Sequence, residues 1–288
     1  MANSIQNPVG AVMVVGGGIA TIQASLDLAD SGFYVYMVEK SSAIGGVMAQ
    51  LDKTFPTNDC SMCILSPKLV EAGRHPNIEV LTMAQVRGID GHAGNFQVQV
   101  HQQARYIDMG KCIACGACAQ KCPKRIDDEF NEKLNQRHAA HVKYPQAVPL
   151  KYVIDKNNCI YFKKGKCRAC EKFCPANAIN FDELDIERTI NVGSVILAAG
   201  YQPVDPGQSG MHIRAFRNFP NVVSALQFER ILSASGPWMG HLVRPGDKKE
   251  PRKIAWLQCV GSRDNNTCKN GYCSSVCCMY AIKEAVIA

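Results

Sequence analysis

Apolar positions along this chain alternate between unbroken short runs and helically spaced sets. Ala11 to Val15 (AVMVV) is continuous, the pattern of a strand covered on both faces. After Gly16-Gly17-Gly18, Ile22, Leu26 and Ala29 recur on one helical face, and Ser31-Gly32 ends the segment, which predicts a helix. A second strand is predicted from Phe33 to Val38, ending at Glu39. A further apolar run, Ile254 to Gln258, predicts another strand, ending at Cys259. A closing helix is predicted from about Ser274 or Ser275. Between these regions, Lys124 to Lys151 is charged and reads as a solvated helix and connector, with His138 and His141 as weak ligand candidates.

Strand, glycine turn, helix, strand and acid follow in the order of a dinucleotide-binding βαβ unit. Gly16 permits the tight turn, and Gly18 lets the backbone at Ile19 and Ala20 approach a pyrophosphate at the helix N-terminus. Glu39, followed by Lys40, is placed to accept from ribose hydroxyls. Thr21 stands where the motif has its third glycine, so the helix is expected to pack slightly differently. Gly45-Gly46 and Ala199-Gly200 complete the expected cofactor-binding set. The bland alternative is an ordinary βα turn beside a buried strand. Val195 to Gly200 with Pro203 resembles the strand and turn by which flavoproteins of the thioredoxin reductase group return to their FAD domain. Ala199 replaces the usual threonine. That resemblance implies FAD rather than NAD at this site.

Composition changes the picture through cysteine, of which the 288 residues contain 15. A secretion signal is not apparent and no eighteen-residue apolar run occurs, so a cytoplasmic, non-spanning protein is expected, with cysteines serving metal or redox chemistry. The net charge of +7 suggests nucleic acid at first sight. Three four-iron clusters and one flavin diphosphate would add roughly eight negative charges and cancel it. Nucleic acid is therefore not an expected partner. Nor does any Ser-His-Asp set or carboxylate pair point to hydrolysis.

Cys112, Cys115, Cys118 and Cys122, followed by Pro123, have the spacing C-x2-C-x2-C-x3-C-P, the bacterial ferredoxin run. Cys159, Cys167, Cys170 and Cys174, followed by Pro175, repeat it with a longer first gap. Ile107-Asp108 and Ile154-Asp155 precede the two runs, marking an internal duplication. In a two-cluster ferredoxin the fourth cysteine ligates the other cluster. The expected sets are Cys112, Cys115, Cys118 and Cys174, and Cys159, Cys167, Cys170 and Cys122. Zinc is the rival metal, and the trailing Cys-Pro disfavours it.

Four of the remaining cysteines gather near the end. Cys273 and Cys277 are four apart, Cys278 lies about 100° around a helix, and the strand end could bring in Cys259. They could hold a third cluster at a helix N-terminus or be small packing residues. Cys60 and Cys63 form a C-x-x-C pair for which redox, metal and structural roles stay open. Cys268 is expected to ligate nothing, and His75 reads as a turn residue.

The segments CVGSRD, YCSSVCCMYAIKEA and NDCSMCILSPKLVEAGRHPNIEV, with the ferredoxin run, are together similar to the A subunits of heterodisulfide reductases (HdrA-like proteins) from about Ala11 to Ala288. The resemblance implies an α/β fold: a Rossmann-like FAD-binding domain of thioredoxin-reductase type carrying an inserted α+β two-cluster ferredoxin domain. The expected organisation is 1–104 as the first part of the FAD domain, 105–184 as the insert, and 185–288 as its continuation, which begins a second nucleotide-binding-like segment bearing a further cluster. It implies FAD and three [4Fe–4S] clusters, with Cys259, Cys273, Cys277 and Cys278 as ligands of the third. Lys283 and Glu229 then correspond to residues beside the flavin ring. The implied function is electron transfer with flavin-based bifurcation or confurcation, toward ferredoxin and a heterodisulfide or analogous acceptor. Implied partners are other subunits of such a complex, ferredoxin, and an electron-donating hydrogenase- or dehydrogenase-type subunit. Alternatives are an NAD(P)H-linked iron–sulfur flavoprotein like the glutamate synthase small subunit, and a non-catalytic relay or scaffold subunit. Relatives of this kind continue past the closing helix, so the chain is expected to be either a short form with its remainder on another polypeptide or a truncated product.

Overall fold

The computed structural model describes residues 8–207, 215–263, 265–266 and 269–288; Cys268 lies outside the described residues. In chain order the elements are β1 (Ala11–Val15), α1 (Ile19–Asp30), β2 (Tyr34–Glu39), α2 (Ser61–Arg74), β3 (Ile78–Thr82), β4 (Ala84–His92) and β5 (Asn95–Gln102). There follow α3 (Ala117–Gln120), β6 (Arg125–Asp127), β7 (Gln136–His138), β8 (Ala140–His141), β9 (Val153–Ile154), α4 (Ile160–Lys164) and α5 (Ala169–Lys172). The chain closes with β10 (Ile186–Val192), β11 (Ser194–Leu197), α6 (Ala225–Leu232) and α7 (Cys277–Ile287). Two compact units divide it: residues 1–48, 65–126 and 136–200, and residues 49–64, 127–135 and 201–288.

The first unit is built on a four-stranded parallel sheet in the order β11-β1-β2-β3. The apolar run of β1 is central, so Val12, Met13 and Val14 are all buried, as a strand covered on both faces requires. Helix α1 turns Thr21, Ile22, Ser25, Leu26 and Ala29 inward. Thr21 is fully buried, and its Oγ1 has no hydrogen-bond partner among the described residues. An antiparallel sheet, β10-β5-β4, shares a core with the parallel one through Met13, Val38, Leu81, Val98, Val100 and Val192.

Residues 105–126 and 136–182 fold around a smaller core in the same unit. It combines Tyr106, Ile107, Ile154 and Phe181 with Cys112, Cys118, Cys159 and Cys170. The internal duplication is visible in the backbone. The amide of Cys112 donates to the Asp108 carbonyl at 2.9 Å, and that of Cys159 to the Asp155 carbonyl at 2.8 Å. The two halves are tied by the Ile107–Ile179 bridge and by packing of α3 on α5.

Two expectations fail here. Lys124 to Lys151 forms no helix; it contains β6, β7 and β8 and an extended return. Part of it packs on the nucleotide loop instead of facing solvent. Val148 bridges Ile44, the Tyr144 hydroxyl donates to the Ile44 carbonyl, and Lys143 Nζ donates to Ser41 Oγ at 2.6 Å. These long-range contacts override a local pattern of alternating charge. Ile254 to Gln258 likewise forms no strand. Ladder hydrogen bonds need a neighbouring strand, and this segment has none among the described residues. Leu257 is accordingly 72% exposed.

The second unit is organised by α6. Ser224 accepts from the Gln227 amide while the Gln227 side chain accepts from the Ser224 amide, a reciprocal cap on α6. Phe228, Ile231 and Leu232 of α6 pack with Leu134, Val223, Trp238, Leu242, Trp256 and Ile287.

Candidate cofactor and metal sites

The glycine turn of the first unit is shaped by close approaches. Gly16 has φ +125° and lies against the Ala198 carbonyl, where a Cβ could not fit. A Cβ on Gly17 would come within 2.5 Å of the Glu39 carboxylate. Gly18 caps α1 with no side chain accepting from the first-turn amides, Ile19 and Ala20 among them, and the space at its own Cβ position is open. Uncapped amides beside open space form an anion cradle. Glu39 is held by the Ser41 amide on Oε1 at 2.8 Å, and its other oxygen faces Gly17. The Gly45 amide donates to the Gly17 carbonyl at 2.6 Å, so the Gly45-Gly46 loop lies against the turn. Lys40 is exposed. Ala199 and Gly200 follow β11, which pairs with β1 as far as Leu197 opposite Val15. This donor set and cradle fit the diphosphate and ribose of a dinucleotide.

Residues invisible to the motif brace the same loop. Arg105 is buried and donates to the Ser42 carbonyl at 2.7 Å, Thr82 Oγ1 at 2.8 Å, and the Lys151 and Tyr152 carbonyls. Burial lowers its guanidinium to about 10. Lys143 also stands low because of burial, although the Glu39 charge opposes the shift.

Eight cysteines sort into two cavities. Cys112, Cys115, Cys118 and Cys174 line one, with Ile107 and Tyr152. Cys122, Cys159, Cys167 and Cys170 line another. Each cavity takes three cysteines from one run and one from the other, as the ferredoxin spacing predicts. Ala114 and Gly116 adopt left-handed conformations between the first three thiols, as Cys167 does in the second run. The backbone therefore curls around each cavity. No histidine or carboxylate lines either cavity, and four thiols within largely apolar walls fit an iron–sulfur cluster. Burial pushes the Cys118 and Cys170 thiols up to about 12, so ionising them requires a bound cation. Among the described residues, no three His, Cys, Asp or Glu side chains already converge on one point. Burial lowers His141 to about 4, and neither it nor His138 lines either cavity.

The closing cysteines are arranged otherwise. Cys259, Cys273, Cys277 and Cys278 are all exposed. Helix α7 begins at Cys277, so Cys273 lies in the preceding loop and not on its first turn. Among the described residues, the contacts of these sulfurs are local. The Ser275 amide donates to Cys273 Sγ at 3.3 Å, and Arg263 lies 3.9 Å from Cys259 Sγ. Cys60 and Cys63 form a disulfide at the start of α2. His75 is a turn residue, accepting from the Asn77 amide at 3.1 Å.

Glu229 and Lys283 meet in the second unit. The ammonium of Lys283 donates to Glu229 Oε1 and, at 3.1 Å, to the Lys53 carbonyl. Glu229 Oε2 accepts from the Asp52 amide at 2.8 Å. The neighbouring Arg230 is also buried and is satisfied by Asn131 Oδ1 and the Gln50 and Ser235 carbonyls at 2.9 Å. Glu284, which the sequence did not single out, is buried beside Lys283. Its only signal was adjacency, because apolar Ile282 and Val286 of α7 face outward at 61% and 69% exposure.

The profile of the pyridine nucleotide-disulphide oxidoreductase family matches residues 10–234. The chain is 45% identical over 273 residues to the A subunit of the H(2):CoB-CoM heterodisulfide,ferredoxin reductase of Methanothermobacter thermautotrophicus, covering 95% of this chain and 40% of that one. It is 49% identical, with the same coverages, to the second of the iron-sulfur A subunits of CoB--CoM heterodisulfide reductase in Methanopyrus kandleri. The chain thus spans about 40% of the length of the curated relatives it matches. No helix among the described residues is long and apolar enough to cross a membrane.

Proposed function

This chain belongs to the pyridine nucleotide-disulphide oxidoreductase family as a relative of the heterodisulfide reductase A subunits, and we propose that it is the FAD- and [4Fe–4S]-carrying part of an electron-transferring oxidoreductase. The observation that carries this reading is the crossed sorting of eight cysteines into two thiol-lined cavities. FAD supplies exchange between paired and single electrons, and clusters supply single-electron conduction.

The chain's own residues hold and tune these groups. Amides at the head of α1 take the diphosphate, Glu39 takes the ribose hydroxyls, and Lys143 and Arg105 fix the loop between them. Cys112, Cys115, Cys118 and Cys174 hold one cluster; Cys159, Cys167, Cys170 and Cys122 hold the second. Cys259, Cys273, Cys277 and Cys278 are the ligands of a third. Lys283, paired with Glu229, would offer its ammonium to the flavin as an electrostatic partner. The electron route proposed is toward ferredoxin and a heterodisulfide or analogous acceptor, with bifurcation or confurcation at the flavin. Partner subunits, one of hydrogenase or dehydrogenase type, deliver the electrons in the cytoplasm.

Anaerobic purification with iron, zinc and flavin quantitation tests this. About twelve irons and one FAD per chain are expected from three four-iron clusters. About eight irons would remove the third cluster, and zinc as the sole metal would overturn the reading.

A further inference from the structure

Three ionisable side chains are buried together in the second unit, and only two can balance. Lys283, Glu229 and Glu284 are 2%, 0% and 1% exposed. Lys283 and Glu229 satisfy each other, with the Lys53 carbonyl and the Asp52 amide completing their shells. Glu284 has a poorer environment. Its Oε2 accepts from the Trp256 indole at 3.1 Å, and its Oε1 has no hydrogen-bond partner among the described residues. A buried carboxylate held by one neutral donor is strongly disfavoured against its protonated form.

The charges around it do not rescue the anion. From α6 it faces Glu229, which opposes ionisation, and on its own helix Lys283, whose charge is already neutralised by Glu229. Tyr280, one turn earlier, is itself pushed up by burial and by both glutamates, so it stays a neutral phenol. Asp52, on the segment against Glu229, is also raised by burial; Lys53, beside it, gives its carbonyl to Lys283. Arg230 of α6 is committed to Asn131, Gln50 and Ser235.

We propose that Glu284 carries a proton at neutral pH and is the group through which the second unit compensates a change of charge at the Lys283–Glu229 pair. While the pair is closed its charges cancel, and burial together with Glu229 keeps the Glu284 carboxyl neutral, its pKa raised to about 8. If Glu229 takes up a proton, the ammonium is left without its counter-ion. Glu284 then gives up its own proton and becomes the counter-ion. One proton is gained at Glu229 and one lost at Glu284, so the net charge of the cluster is unchanged and no electron moves. Glu284 acts through Lys283 and Glu229 and is a positioning residue. Its relevance to the flavin rests on the proposed function, but its protonation does not.

Infrared spectroscopy of the full chain in a pH series reads this directly through the protonated-carboxyl carbonyl band. The wild-type band is expected at pH 7 and is lost as pH rises through about 8; Glu284→Gln removes it and so assigns it. In Glu229→Gln the band is expected to fall to about half or less at pH 7, with proton affinity lowered roughly tenfold or more. Should that variant fail to fold by circular dichroism, Lys283→Met is expected to move the midpoint upward by about one pH unit or more. Absence of the wild-type band, or a midpoint unmoved by the pair variant that folds, overturns the proposal. A burial role alone would predict that unmoved midpoint. The iron and flavin counts do not enter this measurement, so either proposal can fail without the other.

Discussion

Two cysteine-rich regions are assigned the same chemistry, and their surroundings differ sharply. Between Cys112 and Cys174, four thiols belong to a hydrophobic core, the backbone repeats its hydrogen bonds around each opening, and two cavities are lined by four sulfurs each. Between Cys259 and Cys278, every described cysteine is exposed, and the described residues before Cys277 form neither helix nor strand. The first arrangement fixes most of the backbone through packing. For the proposed third cluster, the second would leave ordering to metal binding, at a cost to the binding free energy. Four cysteines for each proposed cluster therefore do not imply matching stability.

Variants can sharpen that contrast, beginning with the largest effect. Cys118→Ala or Cys170→Ala is expected to remove one cluster, about four irons, and to collapse the thermal transition of the first unit. Cys277→Ala is expected to remove at most the same iron while the transition stays in place. Iron assay with calorimetry on both variants checks the pair; equal loss of cooperativity would erase the distinction.

Within the second unit the buried ion pair makes the loss of either partner alone costly. Lys283→Met strands the Glu229 carboxylate and is expected to cost about 3–5 kcal/mol, whereas Lys283→Met with Glu229→Leu recovers most of it. Denaturant titration of both variants gives the comparison. In the first unit, Arg105→Ala leaves the Ser42, Lys151 and Tyr152 carbonyls without their donor. A loss of about 2–3 kcal/mol is expected, read by the same method.

A pH dependence completes the set. The folded pKa of Glu284 is raised to about 8 from an ordinary value of 4.5. Between those values the folded chain binds more protons than the unfolded one, so stability falls as pH rises through the window and levels off above it. Glu284→Gln is expected to flatten that slope in melting curves taken across the window.

The parallel sheet was legible because β1 and β2 are apolar enough to announce burial on both faces, and a glycine turn between them has few other uses. Cysteine spacing carried the cavities, since a wrapped loop is a local property. What escaped depends on distant partners. Lys143, Tyr144 and Val148 sit in a charged stretch whose role is set by Ser41 and Ile44, about a hundred residues earlier. In α7 the pattern misleads outright: Lys283 and Glu284 are inside while Ile282 and Val286 are outside. Only a buried partner such as Glu229, invisible in local periodicity, makes that inversion stable. Ile254 to Gln258 shows the opposite error, an apolar run read as a strand with no strand beside it among the described residues.

The crossed ligand assignment is tested most directly by EPR of the dithionite-reduced full chain in wild type and in Cys174→Ala. The account predicts that this single change, in the second cysteine run, alters the cluster whose other ligands are Cys112, Cys115 and Cys118, and that Cys112→Ala perturbs the same signal. Disturbance of the Cys159, Cys167 and Cys170 cluster by Cys174→Ala, or wild-type protein with no iron–sulfur signal at all, would contradict it.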